Sequence, residues 1–272
     1  MNEAHQKSDF STAIVGYGAV GRGIHQLFPE ACTYDEPLEI GSREQVNDCR
    51  FAFVAVPTPM AADGSADTTI VEQVVSWIES DYIILRSTVP VGTTDRLRQQ
   101  TGKAIVFQPE YGPAETPDHP FNDLRKVRWA ILGGERQDTI AVADMYKTTF
   151  SADFTIQQTD ARTAELTKYM ENAFLALKVT FCNEFYDIAE AFGIDYNELR
   201  ELWLLDPRIG RTHSFVMPHS RGFGGRCLPK DLSALISFSK EAGVAPGLLQ
   251  AMQTVNRELR ERNAPEKAGS PP

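Results

Sequence analysis

A single cysteine near the end of the chain has neighbours that suit a nucleophile. Cys227 ends the glycine-rich segment GFGGRC (residues 222–227), and Lys230 and Asp231 follow it closely. Glycines let the backbone approach a ligand closely, and a neighbouring lysine favours the thiolate, which is the nucleophilic form of the side chain. The loop therefore predicts covalent chemistry through sulfur.

A second candidate site lies near the other end of the chain, at Gly16, Gly18 and Gly21. These glycines follow a short apolar segment and precede a predicted helix, which is the context that a dinucleotide-binding fingerprint requires. Gly16 permits a tight turn, Gly18 lets a pyrophosphate approach the backbone, and Gly21 allows the helix to pack closely on the strand. A dinucleotide and a reactive cysteine in one chain suggest oxidation through a covalent sulfur adduct.

Asp35 indicates which dinucleotide to expect. It ends a predicted second strand, Cys32–Tyr34, where a carboxylate accepts hydrogen bonds from an adenosine ribose and repels a 2′-phosphate. We therefore expect NAD rather than NADP. The cofactor-binding residues predicted at this end of the chain are Gly16, Tyr17, Gly18, Ala19, Val20, Gly21 and Asp35.

Short apolar segments alternate with helical patterns over the first half of the chain, which predicts a doubly wound, mostly parallel sheet of the Rossmann type. The predicted strands cover residues 12–15, 32–34, 51–56, 82–85, 104–107 and 129–132. The predicted helices between them cover residues 19–28, 69–78 and 93–100. We place this α/β domain at residues 1–157.

The pattern changes near residue 160. Residues 161–192 contain neither glycine nor proline, and their apolar residues recur at helical spacing, so we expect one long helix that stops at Gly193. Further helices are predicted at residues 197–205 and 230–242, and residues 244–262 are expected to end the ordered chain. We expect an all-helical domain at residues 158–263 and a disordered tail at 264–272.

Composition restricts the partners of the chain. Its 272 residues are 42% hydrophobic and 24% charged, and the net charge of −10 leaves no excess of basic residues for nucleic acid. We expect no membrane partner, because no apolar run approaches the roughly 18 residues of a span. The four cysteines are spaced neither as disulfides nor as metal ligands, so we expect no metal and a reducing cytoplasm. We expect Cys32, Cys49 and Cys182 to be buried and inert.

Taken together, the motifs of the chain resemble those of the UDP-glucose/GDP-mannose dehydrogenase family. They occur in the family's order over most of the chain. They are GYGAVG (16–21), VPTP (56–59), DGSAD (63–67), STVPVG (87–92), PEY (109–111), AELTK (164–168), NAF (172–174), NE (183–184), RIG (208–210) and the cysteine loop (222–231).

The resemblance implies roles for residues that follow the predicted strands. In the family, the corresponding loops border the cofactor, and a glutamate matching Glu110 lies beside the nicotinamide and the catalytic cysteine. A threonine matching Thr88 lies near the reaction centre. The further cofactor-binding residues implied in this way are Val56, Pro57, Thr58, Ser87, Thr88, Glu110 and Lys230.

The resemblance also implies a substrate site. Lys168 and Asn172 are four residues apart on one helix face, where a lysine and an amide can hold an oxygen as its charge develops. Asp231 corresponds to an acid that orients water or the Lys168 ammonium. Arg208 corresponds to an arginine that meets the substrate phosphate, sometimes across a dimer interface. Phe223 and Gly224 complete the implied substrate site.

The chain departs from the family at two places. The family usually has a glutamate where this chain has Ala114, and Glu115 comes one position late. Members usually also carry a third domain that grips the nucleotide of the substrate. Without those contacts we expect weak binding of UDP-sugars, or a smaller substrate.

The activity implied by the resemblance is NAD-dependent oxidation of the primary alcohol of a sugar or nucleotide sugar to a carboxylate, in two hydride transfers through a Cys227 thiohemiacetal and thioester. Such sugar acids serve polysaccharide biosynthesis. One alternative is a two-domain β-hydroxyacid dehydrogenase, which transfers a single hydride and needs no cysteine. The other alternative is an NAD-binding regulatory protein without catalysis.

The long predicted helix also suggests self-association. Its apolar residues exceed what so small a domain could bury alone, and in the family this domain is the centre of a dimer. We expect a homodimer. The residues that suggest it are Leu166, Phe174, Leu177, Phe181 and Phe185.

Overall fold

The structure is a computed structural model that describes residues 9–112, 123–150 and 153–262. The chain divides into two compact units, and the division falls between Lys168 and Tyr169. The first unit is α/β and the second is helical, so the predicted fold class is confirmed. The predicted tail at 264–272 lies outside the described residues.

The first unit alternates strands and helices. Its strands are β1 (Thr12–Val15), β2 (Cys32–Tyr34), β3 (Phe51–Val54), β4 (Tyr82–Leu85), β5 (Ala104–Phe107), β6 (Trp129–Gly133) and β7 (Thr155–Thr159). The α-helices that lie wholly within this unit are α1 (Ala19–Leu27), α2 (Arg43–Asn47), α3 (Thr69–Trp77), α4 (Thr93–Thr101) and α5 (Arg136–Thr149), with a short 3₁₀ helix at Leu124–Lys126.

Within the described ranges, these strands form one sheet in the order β2-β1-β3-β4-β5-β6-β7. Neighbouring strands are parallel except at β5 and β6, where Phe107 pairs with Gly133 in antiparallel fashion. The chain order reverses at β1, which has β2 on one side and β3 on the other. In such sheets, ligands bind outside the carboxyl ends of the strands at this reversal point.

Helices cover both faces of the sheet, which explains why its strands are apolar throughout. Ala13 and Val15 of β1 belong to one buried cluster, whereas Ile14 belongs to another. The strand β3 alternates in the same way, with Ala52 and Val54 in the first cluster and Phe51 and Phe53 in the second. A strand buried on both faces has no polar side, as expected for a parallel sheet.

The long helix α6 (Ala161–Ala191) begins in the first unit and continues into the second. Asp160 caps its start, because the Asp160 carboxylate accepts the backbone N–H of Thr163 at 2.9 Å. The helix stops where predicted, at Gly193, which adopts a left-handed φ of 68°. The two units divide at Lys168 rather than at residue 157 because the first turns of α6 pack on the first unit, where Ala164 is fully buried.

The second unit contains three further helices, α7 (Tyr196–Trp203), α8 (Cys227–Glu241) and α9 (Gly247–Arg262). The prediction that α8 begins at Lys230 was wrong by three residues. Pro229 did not prevent the earlier start, because proline is tolerated in the first turn of a helix. This correction changes the setting of Cys227, which is the first residue of α8 rather than part of a loop.

Candidate functional site

The glycine turn that follows β1 has the geometry of a dinucleotide cradle. Gly16 has a φ of 94°, and a Cβ there would lie 2.5 Å from the Ala55 carbonyl oxygen. A Cβ on Gly21 would lie 2.0 Å from the Gly16 carbonyl oxygen, so the chain's own backbone excludes side chains at both positions. At Gly18, by contrast, an added Cβ would meet none of the described atoms within 4 Å. Open space at the start of α1 is what a pyrophosphate would need.

Asp35 braces this turn from the end of β2. One carboxylate oxygen accepts the backbone N–H of Tyr17 at 2.7 Å, and the other accepts that of Leu38 at 3.1 Å. Asp35 is half-buried. A carboxylate has about four acceptor positions, so two remain for ribose hydroxyls. Tyr17 is fixed in turn, since its hydroxyl lies 2.7 Å from His25 Nδ1.

The loops after β3 and β4 run along the same edge of the sheet. The hydroxyl of Ser87 donates to the Val56 carbonyl at 2.7 Å, which ties the two loops together. Thr58 is buried, Thr88 is half-buried and Pro57 is exposed. The predicted cofactor residues of these loops therefore lie at the carboxyl ends of neighbouring strands.

Glu110, which follows β5, forms a buried ion pair that the sequence motifs did not predict. The partner of its carboxylate is Arg86, the residue after β4, and the two side chains are only 12% and 5% exposed. Nearby, the hydroxyl of Tyr146 donates to Gln108 at 2.7 Å. Glu110 also lines a pocket with Arg86, Tyr111 and Trp129. The cation fixes the orientation of the Glu110 carboxylate in this pocket.

Lys168 is held by an aromatic ring of the same unit. Its ammonium lies 4.9 Å from the centroid of the Tyr111 ring, and Tyr111 packs on Trp129 with 4.7 Å between ring centroids. Lys168 is 8% exposed. A cation over the face of an aromatic ring is attracted by the ring quadrupole. The segment after Gly112, including Ala114 and Glu115, lies outside the described residues.

Glu165, one turn before Lys168, anchors the start of α6 to α4. The N-cap residue of α4, Gly92, has no side chain that could cap the helix. Glu165 supplies the missing acceptor, because its carboxylate accepts the N–H of Gly92 at 2.5 Å, the N–H of Thr94 at 2.9 Å and the Thr94 hydroxyl at 2.6 Å. Burial raises the pKa of Glu165 to about 6, although these hydrogen bonds lower it.

Stability should therefore depend on pH through Glu165. When folding raises the pKa of a carboxyl group, the folded protein binds the proton more tightly than the unfolded chain does. The stability that results is complete below about pH 4.5 and is lost as the pH rises through about 6. We expect the free energy of unfolding of the wild type, relative to Glu165→Gln, to fall by ~2 kcal/mol between pH 4.5 and pH 7. Denaturant unfolding of both proteins across this range measures the difference, and a constant difference would contradict the assignment.

In the second unit, Asp231 is the centre of a buried polar cluster. One oxygen of its carboxylate accepts the amide N–H of Asn172 at 2.5 Å, and the other accepts the ammonium of Lys230 at 2.6 Å. Asp231 is 2% exposed and Asn172 is 5% exposed. The structure thus brings three of the predicted site residues together, and Lys230 faces Asp231.

Cys227 begins α8, one turn before Asp231. The positive end of a helix dipole favours negative charge, so this position favours a thiolate. The thiol is half-buried, whereas those of Cys49 and Cys182 are buried as predicted. Cys32 is half-buried rather than buried, so the prediction for that residue was wrong.

The loop before Cys227 differs from its prediction. The ring of Phe223 is 4% exposed and belongs to a buried cluster with Ala176, Leu232 and Met252. Because the Phe223 ring is in the core, only the loop around it is left to contact a substrate. A Cβ on Gly224 would lie 2.5 Å from the guanidinium of Arg260, so this glycine makes room for a side chain of the protein itself.

Arg208 projects from the surface of the second unit, with its side chain 86% exposed. Its Nε lies 3.0 Å from both carboxylate oxygens of Asp206. A phosphate would have to displace Asp206 or share the guanidinium with it. Sharing is feasible because a guanidinium has five N–H donors.

Two further observations concern the described part of the chain. Nowhere in it do three or more histidine, cysteine, aspartate or glutamate side chains gather as a metal site would require. None of its helices combines the length and the hydropathy of a membrane span.

Comparison with known proteins agrees with the motifs. The NAD-binding domain of the UDP-glucose/GDP-mannose dehydrogenase family matches residues 23–150, and the central domain of that family matches residues 162–258. The UDP-glucose 6-dehydrogenase TuaD of Bacillus subtilis is 32% identical over 218 residues, which cover 76% of this chain and 46% of that protein. The UDP-glucose 6-dehydrogenase of Pseudomonas aeruginosa is 31% identical over 235 residues, covering 80% and 51%.

The chain spans about half the length of these curated relatives. Among solved structures, a UDP-glucose dehydrogenase from the archaeon Pyrobaculum islandicum superposes with a TM-score of 0.78 at 26% identity. The match covers 95% of this chain and 70% of that one.

Proposed function

Because the chain belongs to the UDP-glucose/GDP-mannose dehydrogenase family, we propose that it oxidises the primary alcohol of a sugar or nucleotide sugar to a carboxylate. The cofactor is NAD, for which the chain carries the family's binding domain. The glycine turn and Asp35 hold its pyrophosphate and adenosine ribose. When bound, NAD accepts a hydride in each of two oxidations.

The protein supplies the covalent step between the two oxidations. The Cys227 thiolate bonds to the aldehyde carbon, and the resulting oxyanion takes up a proton to give a thiohemiacetal. After the second oxidation the same carbon is a thioester. Water oriented by Asp231 and Thr88 attacks it, the carbon–sulfur bond breaks, and the acid leaves as the thiol is restored. Lys168 and Asn172 hold the substrate oxygen as its charge develops.

One observation carries this proposal: Cys227 begins a helix, and the Asp231–Asn172 cluster follows within one turn. A hydroxyacid dehydrogenase would need no cysteine at this position. Arg208 and the loop at Phe223 and Gly224 are proposed to meet the substrate, and Glu110, Val56, Pro57, Thr58, Ser87 and Lys230 to border the cofactor.

A substrate panel tests the proposal. UDP-glucose, GDP-mannose, glucose and a simple β-hydroxyacid are each incubated with the protein and NAD, and NADH formation is followed. We expect turnover with at least one of the sugars. Oxidation of the hydroxyacid alone would favour the single-transfer alternative, and NAD binding with no turnover of any substrate would favour a regulatory protein.

Cofactor choice gives a second prediction. We expect NAD to bind more tightly than NADP, because the Asp35 carboxylate accepts ribose hydroxyls and repels a 2′-phosphate. Asp35→Asn keeps the acceptor that braces Tyr17 but removes the charge, so it should narrow the preference by about tenfold. Calorimetric titration measures both affinities, and equal affinity of the unaltered protein for the two cofactors would be incompatible with this role of Asp35.

Self-association is also part of the proposal. The helices α6 and α7, with the residues that directly follow them, carry a row of large apolar side chains that are each at least 40% exposed among the described residues. A second copy of the chain would bury this row, as the central domain's role in the family implies. Leu177 was also predicted to be part of the interface, but it packs against the core of the second unit instead. The exposed row consists of Phe174, Phe181, Phe185, Ile188, Phe192, Leu202 and Leu205.

Sedimentation equilibrium tests the dimer. We expect a species of twice the chain mass, and we expect Phe185→Glu to weaken association at least tenfold, because it places a charge in the apolar interface. The control is Gln253→Glu, which adds the same charge to an exposed site on α9. A monomeric wild type, or equal association of the two variants, would contradict the proposed interface.

We further place the protein in the cytoplasm, where the sugar acid would enter polysaccharide biosynthesis. All four cysteines are free thiols, which suits a reducing compartment.

A further inference from the structure

We propose that Asn256, on α9, is a positioning residue for Cys227. This inference rests on the proposed role of Cys227 as the nucleophile. The segment Arg221–Phe223 leads into α8, and side chains from the helices α6 and α9 hold it in place.

The side-chain amide of Asn256 bonds both the backbone N–H and the backbone carbonyl of Phe223. Its side-chain oxygen accepts the backbone N–H of Phe223 at 2.7 Å, and its side-chain nitrogen donates to the Phe223 carbonyl at 3.0 Å. Asn256 is 7% exposed and Phe223 is 4% exposed. Because a primary amide has a donor and an acceptor side by side, it can satisfy both backbone groups of one residue, whereas an ionised carboxylate of the same length has no hydrogen to donate.

A second buried asparagine holds the preceding residues. The side-chain oxygen of Asn183, on α6, accepts the Nε–H of Arg221 at 2.7 Å and the backbone N–H of Gly222 at 3.1 Å. Gly222 has a φ of 78°, and a Cβ there would lie 2.5 Å from the Asn256 oxygen. Both the left-handed backbone and the contact with Asn256 therefore require a glycine at this position.

The contacts fix Cys227 because little chain separates it from them. Three residues lie between Phe223 and Cys227, and the ring of Phe223 packs with Leu232 of α8 and Met252 of α9. Loss of the Asn256 amide would leave both backbone groups of Phe223 without their partner and would free the segment to shift. A shift of about 1 Å at a reacting group lowers the rate by about a hundredfold.

The reactivity of the Cys227 thiol reports its position without any substrate. Each protein is treated with iodoacetamide between pH 6 and pH 9, and alkylation of Cys227 is timed by mass spectrometry, with the half-buried Cys32 as the internal reference. We expect Asn256→Ala to change the rate at Cys227 at least threefold and to leave that at Cys32 unchanged. The matched control Gln253→Ala, an exposed position on the same helix, should change neither rate.

A second variant separates positioning from simple loss of fold. Asn256→Asp keeps the side-chain volume and the acceptor for the Phe223 N–H, but at neutral pH it places a carboxylate oxygen against the Phe223 carbonyl. It should alter the Cys227 rate as Asn256→Ala does, while NAD affinity stays within twofold of the wild type. If either variant is folded and alkylates Cys227 with the wild-type rate and pH profile, the inference is wrong.

Activity then distinguishes this inference from the proposed function. With UDP-glucose as the probe, we expect the turnover number of Asn256→Ala to fall about tenfold or more, with a smaller change in KM for NAD. A wild type that forms no acid, combined with the altered thiol reactivity, would overturn the proposed function and leave the positioning role of Asn256 intact.

Discussion

Cys227→Ser should abolish carboxylate formation, lowering its rate by about a thousandfold or more. A serine hydroxyl at the start of α8 is a far weaker nucleophile than a thiolate, so the aldehyde carbon is not captured and the second oxidation has no covalent intermediate. NAD affinity should stay nearly unchanged, because the glycine fingerprint at residues 16–21 is intact. Product analysis by mass spectrometry measures acid formation, and calorimetry measures NAD binding.

A matched control is available in the same chain. Cys32 is also half-buried but lies on β2, and Cys32→Ser should retain acid formation. Mass spectrometry should also detect the substrate as an adduct on Cys227 in the wild type. Carboxylate production by Cys227→Ser at the wild-type rate would rule out the covalent mechanism.

Arg86→Met should lower the free energy of unfolding by ~3–5 kcal/mol. Arg86 and Glu110 form an ion pair with side chains 5% and 12% exposed, and removing the cation leaves a buried carboxylate without its partner. Adding Glu110→Gln to this variant should restore a large part of the loss, because it removes the uncompensated charge. Denaturant unfolding monitored by circular dichroism measures all three proteins.

The control for this prediction is an exposed ion pair of the same composition. Arg96 and Glu72 are each 42% exposed, and Arg96→Met should cost no more than ~1 kcal/mol. Equal losses from Arg86→Met and Arg96→Met would show that burial of the Arg86–Glu110 pair does not determine its contribution.

Much of the α/β unit could be predicted because its strands are buried on both faces. Continuous apolar runs such as Tyr82–Leu85 and Ala104–Phe107 became strands with the predicted bounds. The strand β7 was missed because it is a half-exposed edge strand with one apolar residue, Ile156. The helix α5 was missed as well, since its apolar residues form no strong pattern.

The motif residues could be identified from the sequence, whereas the residues that hold them in position could not. Arg86 directly follows a buried strand, and a charge at such a position could have indicated a buried partner, but nothing in the sequence identified Glu110 as that partner. Asn256 interrupts the buried face of α9 between Met252 and Leu259. A polar residue at a core position has to find hydrogen-bond partners, and its partner here, Phe223, lies 33 residues away in the chain.

The most direct test of the proposed function is the number of NADH molecules formed for each substrate molecule consumed. The sugar that turns over in the panel is limiting, NAD is in excess, and the product is identified by mass spectrometry. Oxidation through a Cys227 thioester predicts two NADH for each carboxylate, with no aldehyde released. One NADH for each substrate molecule, with an aldehyde or ketone as the final product, would contradict it.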